Sequence, residues 1–493
     1  MSIKGMETED KYTAEQIKIL DELAAEQKRH AMRDIIWCLS LEKHPGGAAM
    51  NQRKKLTLTS ITIGLLSLLL VSTSHAGGNN EGLSLKECLK TALSRNPTVL
   101  EAGLGIKSAE ESVISAKGRH WPRLSLDSAF IQRKDPFPYI QAQSTKIPPH
   151  FSDAYSSLGL TLTIPIYQGG QISTGVSLAE VRRDIQVLAS RQTKNDVIAN
   201  TVNAYNKILQ LQELRKASEA QVKALEEQAK NTRLLLDVDR VARVDLLKVE
   251  VQLANERQRL LATDEGLKTA SATLRYLMGE GPDAENPLPP LADRLVAGDF
   301  RADFESGLNV AHERRPEYLS SKKAVEEAKL NRRLALGKLL PTINITGSDT
   351  RWAGYNPVYH DTIWVTGVTL SLPLFDRSLY ADLSRESIQI ERMSQRLVAT
   401  DNQIGLDISN AVASVTESRN RVSATEKAVA QGEESFRIEQ LKYETGAGSM
   451  VDLLLAQAAS INAVANYTQA LFDYNAAVVA YRRATSTLED YLQ

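Results

Sequence analysis

Metal chemistry needs histidines, cysteines or carboxylates gathered at ligand spacing, and this chain does not gather them. His75, His120, His150, His312 and His360 are scattered, without the close pairs that a zinc site uses. No metal and no cofactor is expected. Serine and aspartate are plentiful, yet no Gly-x-Ser-x-Gly turn presents a nucleophile. Gly103-Leu-Gly105 lacks the Lys-Ser/Thr completion of a phosphate-binding loop and lies in a helical stretch. Cys88 reads as a core residue on an apolar helix face, and a lone thiol makes no intrachain disulfide. Asp245 and Asp452 remain, each opening a helix after a break, where aspartate caps well. No residue set points to an enzyme.

Composition explains the lack of such sets. Aromatics make up only 5% of 493 residues, and Ala, Leu, Gln, Glu, Lys and Arg dominate long stretches. That bias favours long helices of the coiled-coil kind. The net charge is −1 with both signs interspersed, and no basic stripe would attract a phosphate backbone. Nucleic acid is excluded as an expected partner.

The front of the chain carries an export signal. Met50-Asn-Gln-Arg-Lys-Lys55 is a positive start, Leu56 to Val71 an apolar core, and Ser74-His-Ala76 a small-residue cleavage site. The apolar run is shorter than the about 20 residues of a membrane-spanning helix. The reading is a signal peptide over 50–76, with 1–49 an extension ahead of the true start at Met50. The alternative is a cytoplasmic extension on a signal anchor. Cys38 lies in that extension, and no cysteine follows the signal core at a cleavage point. The mature chain should begin near Gly77, without a lipid anchor and with Cys88 as its one thiol.

The remainder repeats itself. Leu158-Gly-Leu-Thr-Leu-Thr-Ile-Pro-Ile-Tyr167 returns as Thr366-Gly-Val-Thr-Leu-Ser-Leu-Pro-Leu-Phe375, and Val244-Asp-Leu-Leu247 as Val451-Asp-Leu-Leu454. Arg119-His-Trp-Pro-Arg-Leu-Ser-Leu126 answers to Lys338-Leu-Leu-Pro-Thr-Ile-Asn-Ile345, and Arg95-Asn-Pro97 to Arg314-Arg-Pro316. Pro97 to Pro316 is 219 positions and Gly159 to Gly367 is 208, so the first half holds about eleven extra residues near Pro136 to Pro149. Two repeats follow, 77–280 and 303–493, joined by a linker over 281–302 that is proline-rich up to Leu291.

Each repeat reads helix, strand, loop, strand, very long helix, break, second long helix. The strands alternate with period two: Leu158, Leu160, Leu162, Ile164 and Ile166 on one face, Gly159, Thr161, Thr163 and Pro165 on the other. Val368, Leu370, Leu372 and Leu374 repeat the pattern, and Pro122 to Phe130 and Pro341 to Gly347 supply partner strands. Lengths near ten residues with apolar-out, polar-in alternation suit a transmembrane β-barrel. Proline-free runs over 171–236 and 378–443 predict helices about 100 Å long. Shorter partners follow over 245–277 and 451–491, too long together for any compact core. Val187, Ile198, Val202, Tyr205, Leu209 and Leu211 give the mixed spacing of coiled-coil packing. Four strands cannot close a barrel, for which about eight are needed, and open edges do not persist in lipid. Three chains pooling twelve strands would.

In sum the chain resembles the TolC-like outer-membrane factor family over essentially its whole mature length. The resemblance rests on the duplication and on Leu83-Ser-Leu-Lys-Glu-Cys-Leu-Lys-Thr-Ala-Leu-Ser-Arg-Asn-Pro97. It also rests on the Gly159 to Tyr167 strand with Gln168-Gly-Gly170, and on Tyr443-Glu-Thr-Gly-Ala-Gly-Ser-Met-Val-Asp452. It implies a homotrimer with a twelve-stranded barrel in outer-membrane lipid and a helical tunnel across the periplasm. A periplasmic adaptor protein and an inner-membrane transporter open it. It further implies that the breaks near Asp245 and Asp452 form the periplasmic tip. There Tyr443, Asp245 and Asp452 would hold and ring the constriction, and the Gly446 and Gly448 turn would meet the adaptor. Two positions depart: Gly448 stands where some members carry a latch arginine, and Leu455 where a second ring aspartate can occur. Arg240 or Arg243 could then share in closure. The function implied is passive efflux of small molecules. Export of protein in type I secretion is the nearest alternative, and a secreted coiled-coil scaffold the alternative of another class.

Overall fold

A computed structural model describes residues 82–140, 149–281, 288–355 and 358–492. The readings of 1–49 as an extension and 50–76 as a signal peptide lie outside these residues, as do Cys38 and His75. The elements run α1 (Leu85–Arg95), α2 (Pro97–Gly118), β1 (Arg123–Ile140), β2 (His150–Gln168), α3 (Gln171–Asp237) and α4 (Arg243–Leu277). The second half repeats them as α5 (Phe304–Arg314), α6 (Pro316–Gly337), β3 (Thr342–Tyr355), β4 (Val358–Ser371), α7 (Arg377–Glu444) and α8 (Met450–Ala484).

The helices form two tiers. Nearer the strands, α2 packs on α3, α3 on α6 and α6 on α7; farther away the row is α4, α3, α8, α7. Only α3 and α7, of 67 and 68 residues, run through both tiers, each about 100 Å long. The repeated Asn-Pro and Arg-Pro dipeptides divide the short helices at the junction. Proline suits the first turn of α2 and α6 because its missing N–H would have no helical partner there. Asn96 is buried and works both ways: its Oδ1 accepts from the Thr98 N–H at 2.9 Å, and its Nδ2 donates to the Leu277 carbonyl at 2.8 Å. The start of α2 is thereby fixed on the end of α4.

The main core lies at this waist, where Cys88, Tyr205, Leu274, Ile408, Leu471 and Tyr474 interdigitate from five helices. Residues 293–303 strap across it through tyrosine hydroxyls. Tyr205 donates to Asp293 at 2.8 Å, Tyr474 to the Gly298 carbonyl, and Tyr481 to the Asp303 carbonyl at 2.8 Å.

The four strands form one antiparallel sheet in the order β1-β2-β3-β4. Two hairpins, one from each repeat, join along β2 and β3. The strands have 18, 19, 14 and 14 residues, longer than the ten expected, because the ladder continues through polar stretches such as Asp349 to Arg351. Leu124, Leu162, Val368 and Leu370 share one exposed face. Toward the outer end that face turns polar on β3 and β4, with Asp349, Arg351 and Thr362. The opposite face carries Thr161, Thr163, Asn344 and Thr346, and on β2 and β3 it is the less exposed one, as befits the hollow side of a curling sheet. Among the described residues no helix is long and apolar enough to cross a membrane.

The last helix stops earlier than expected. It ends at Ala484, Ser486 turns to φ 57°, and a short 3-10 turn over Leu488–Leu492 follows.

Candidate functional site

The tip farthest from the sheet is built from two helix turns related by the repeat. After α7, Gly446 takes φ 76°. Its N–H bonds the Tyr443 carbonyl at 3.1 Å, and the Ala447 N–H bonds the Lys442 carbonyl at 2.8 Å. This pair is a Schellman closure, which needs a left-handed residue. After α3 the same pair recurs, Asp239 to Leu236 and Arg240 to Leu235, both at 2.9 Å. Here the left-handed position is Asp239, with φ 54°. Sequence reasoning missed Asp239, although its place at the equivalent break was a signal.

The two aspartates differ from their expected role as caps. Ala242 is the N-cap of α4 and makes no side-chain cap bond. Asp245 lies in the first turn and pairs with Lys248 at 3.3 Å. On α8 the cap is Ser449, whose hydroxyl accepts from the Asp452 N–H at 3.1 Å and donates to the Asp452 carboxylate at 2.7 Å. Both aspartates are therefore third helical residues, where a carboxylate still favours the positive end of the helix dipole.

Tyr443 packs on a small cluster of Leu225, Val249, Met450 and Leu453 that ties all four helices together. Its hydroxyl oxygen is enclosed without a hydrogen-bond partner. Burial raises the phenol above its usual pKa, and the Asp245 carboxylate pushes the same way. Tyr443 and Asp245 are thus electrostatic neighbours. Asp452 instead lines an open groove with Glu439, Lys442, Gly446, Gly448 and Leu455. A Cβ on Gly448 would come within 3.0 Å of the Lys442 Cβ and 3.1 Å of the Tyr443 nitrogen. A side chain at this position would need the end of α7 to give by a few tenths of an ångström. Among the described residues neither Arg240 nor Arg243 has an ion pair, and no three His, Cys, Asp or Glu side chains gather as metal ligands.

A stack of paired helices, a curled sheet with a polar hollow, and charged turns at the far end together make a conduit wall. Residues 88–280 and 307–487, one segment in each half, match the family described as "Outer membrane efflux protein". The chain belongs to the outer membrane efflux protein family.

Its relatives agree with that placement. It is 25% identical over 430 residues to the outer membrane efflux protein BepC of Brucella suis, covering 86% of this chain and 89% of BepC. It is 23% identical to the outer membrane protein TolC of Salmonella enteritidis, covering 87% of each. Its fold matches the outer membrane protein VceC of Vibrio cholerae with a TM-score of 0.69 at 18% identity, over 81% of this chain and 95% of VceC. This outer membrane efflux protein therefore places its sheet in the outer membrane and its helical tunnel in the periplasm.

Proposed function

We propose that three copies of this chain form a passive exit duct for small molecules, engaged by a periplasmic adaptor and an inner-membrane transporter. One observation carries the reading: β1 and β4 are the two ends of the sheet, and among the described residues neither has a neighbouring strand on its outer side. In lipid each unpaired backbone group costs several kcal/mol, so β4 of one copy must meet β1 of the next. The helices support the same seam. Leu100, Leu104 and Ile114 on α2, and Ile388, Val398 and Leu406 on α7, are exposed in the single chain.

At the tip, Asp245 and Tyr443 form a closing contact and three copies of Asp452 line the constriction. The Gly446 to Gly448 turn is the adaptor's foothold. The transporter supplies the energy, and the duct carries out no reaction of its own. Residues 50–76 are removed as a signal, and 77–280 and 303–493 are the two structural repeats.

The test is fractionation of natively expressed protein, sizing in mild detergent and N-terminal sequencing. An outer-membrane trimer beginning near Gly77 is the expected result. A soluble periplasmic species, or a chain held in the inner membrane through 56–71, overturns the duct and favours the secreted scaffold.

A further inference from the structure

Directly opposed residues share a face of the sheet, and the exposed face changes character as it leaves the helices. Its first rows are apolar: Ile343 stands opposite Leu370, Ile345 opposite Val368, and Leu124 opposite Leu162. Farther out, Asp349 lies between Leu160 and Trp364, and in the next row Arg351 lies between Leu158 and Thr362. Both charged side chains are exposed. Among the described residues neither has an ion pair or a side-chain hydrogen bond. An anion and a cation thus stand two positions apart on β3, unjoined, on the side that carries the apolar rows.

Their height decides what they meet. Arg351 is eight positions along β3 from Ile343. At about 3.4 Å per residue and a barrel tilt near 40°, it stands roughly 20 Å above that row. The apolar band of a membrane barrel is about 25 Å tall and is bounded by aromatic girdles. Trp364, 73% exposed, sits in the Asp349 row. Just beyond Arg351 the Phe130 and Tyr355 rings meet edge to face at 5.8 Å. The two charges therefore fall at the outer boundary of the band, where a charge on the lipid face is tolerated.

We propose that this patch docks a phosphate-bearing lipid headgroup on the outside of the barrel. Arg351 bonds the phosphate directly, and Asp349 reaches it through a divalent cation. The inference rests on the three-copy barrel, which turns this face to lipid and carries one patch per copy. The guanidinium fork offers five N–H donors and matches phosphate oxygens two at a time. The Thr362 hydroxyl, directly opposite Arg351, stands beside it as a further donor. Asp349 by itself would repel a phosphate. A magnesium ion reverses that sign, because it is commonly held by one or two carboxylates together with phosphate oxygens. The two residues are about 7 Å apart along the strand, which leaves room for ion and phosphate between their side chains.

The test uses full-length trimers in mild detergent. Phosphatidic acid is the probe, and diacylglycerol with the same chains is its phosphate-free control. Native mass spectrometry counts the lipid each trimer retains in the presence of magnesium. The parent should retain phosphatidic acid well above diacylglycerol. Arg351→Gln should lower that retention about tenfold, the worth of one charge-assisted bond, and Arg351→Lys should restore part of it. Asp349→Asn should abolish the response to magnesium. Chelating the ion should do the same to the parent, which keeps the test available if a variant fails to assemble. Equal retention of the two lipids, or retention that Arg351→Gln leaves unchanged, overturns the headgroup site while the trimer stands. Retention indifferent to chelation and to Asp349→Asn overturns the ion bridge. A parent that yields no trimer overturns the duct reading and the patch with it.

Discussion

Asp239 and Gly446 occupy the same left-handed position at the ends of α3 and α7, yet only one is a glycine. A non-glycine residue there costs roughly 1 kcal/mol, with aspartate among the more tolerant. Asp239→Gly should therefore slow amide exchange over 236–243, by about fivefold for 1 kcal/mol, and unchanged exchange would show that the turn carries no strain. Tyr443 poses a sharper question. Its hydroxyl has no partner in the single chain, so Tyr443→Phe should leave stability the same or slightly higher. If the residue closes the tip, the same substitution raises channel conductance; equal conductance removes it from the gate. Cys88 offers a pH test. Burial pushes its thiol up to about 12, so the folded state keeps a proton that the unfolded state sheds above about 9. The contribution is complete below pH 9 and is lost as pH rises towards 12. Alkylation of native protein at pH 8 should accordingly be negligible, and labelling as fast as in urea would contradict the burial. Of these residues, Cys88 was readable from its apolar helix face. Asp239 was legible only through its place at the equivalent break, since its side chain gives no glycine signal, and Ser449 is the cap although Asp452 also carries a capping type of side chain.

At the scale of elements, pattern and outcome agree where the pattern is local. The predicted spans 171–236 and 378–443 fall within a residue of α3 and α7, since nothing in either run interrupts a helix. The Asn-Pro and Arg-Pro breaks fall where proline dictates. Strand ends were less legible, because the outer rows pair through backbone regardless of side-chain alternation. The strap over the waist could not be read at all. Its bonds join residues 88 to 178 positions apart, and no local pattern marks them. Tyr474 is its clearest member, donating to the Gly298 carbonyl and accepting from the Phe300 N–H at 3.2 Å. Tyr474→Phe keeps the ring in the core but strips both backbone groups of their partner, at about 1–3 kcal/mol if they stay buried. Limited proteolysis should then cut near 298–300 at least several times faster than in the parent. An unchanged digestion pattern would mean that packing of Phe300 on Tyr481, at 5.5 Å between rings, holds the strap by itself.

For the whole molecule, the exposed rows on α7 separate a chain that works alone from one that works in threes. Ile388 and Leu406 are 64% and 53% exposed and stand five helical turns apart on one side. If the chain is complete as a single copy, Ile388→Asp with Leu406→Asp changes little, because exposed positions tolerate charge within about 0.5 kcal/mol. If α7 packs against α2 of a neighbour, the same two carboxylates are buried without partners. Each then costs several kcal/mol, and every 1.4 kcal/mol removes a factor of ten from assembly. The helical content of the two proteins should match, while the trimer fraction of the variant in mild detergent falls more than tenfold. The sheet sharpens the comparison. Its open edges belong to the same two sides of the chain, β1 beside α2 and β4 beside α7 in sequence, so loss of the helical seam should also expose the strand edges. A variant that remains trimeric would place α7 away from the seam, leaving the strand edges alone to join the copies.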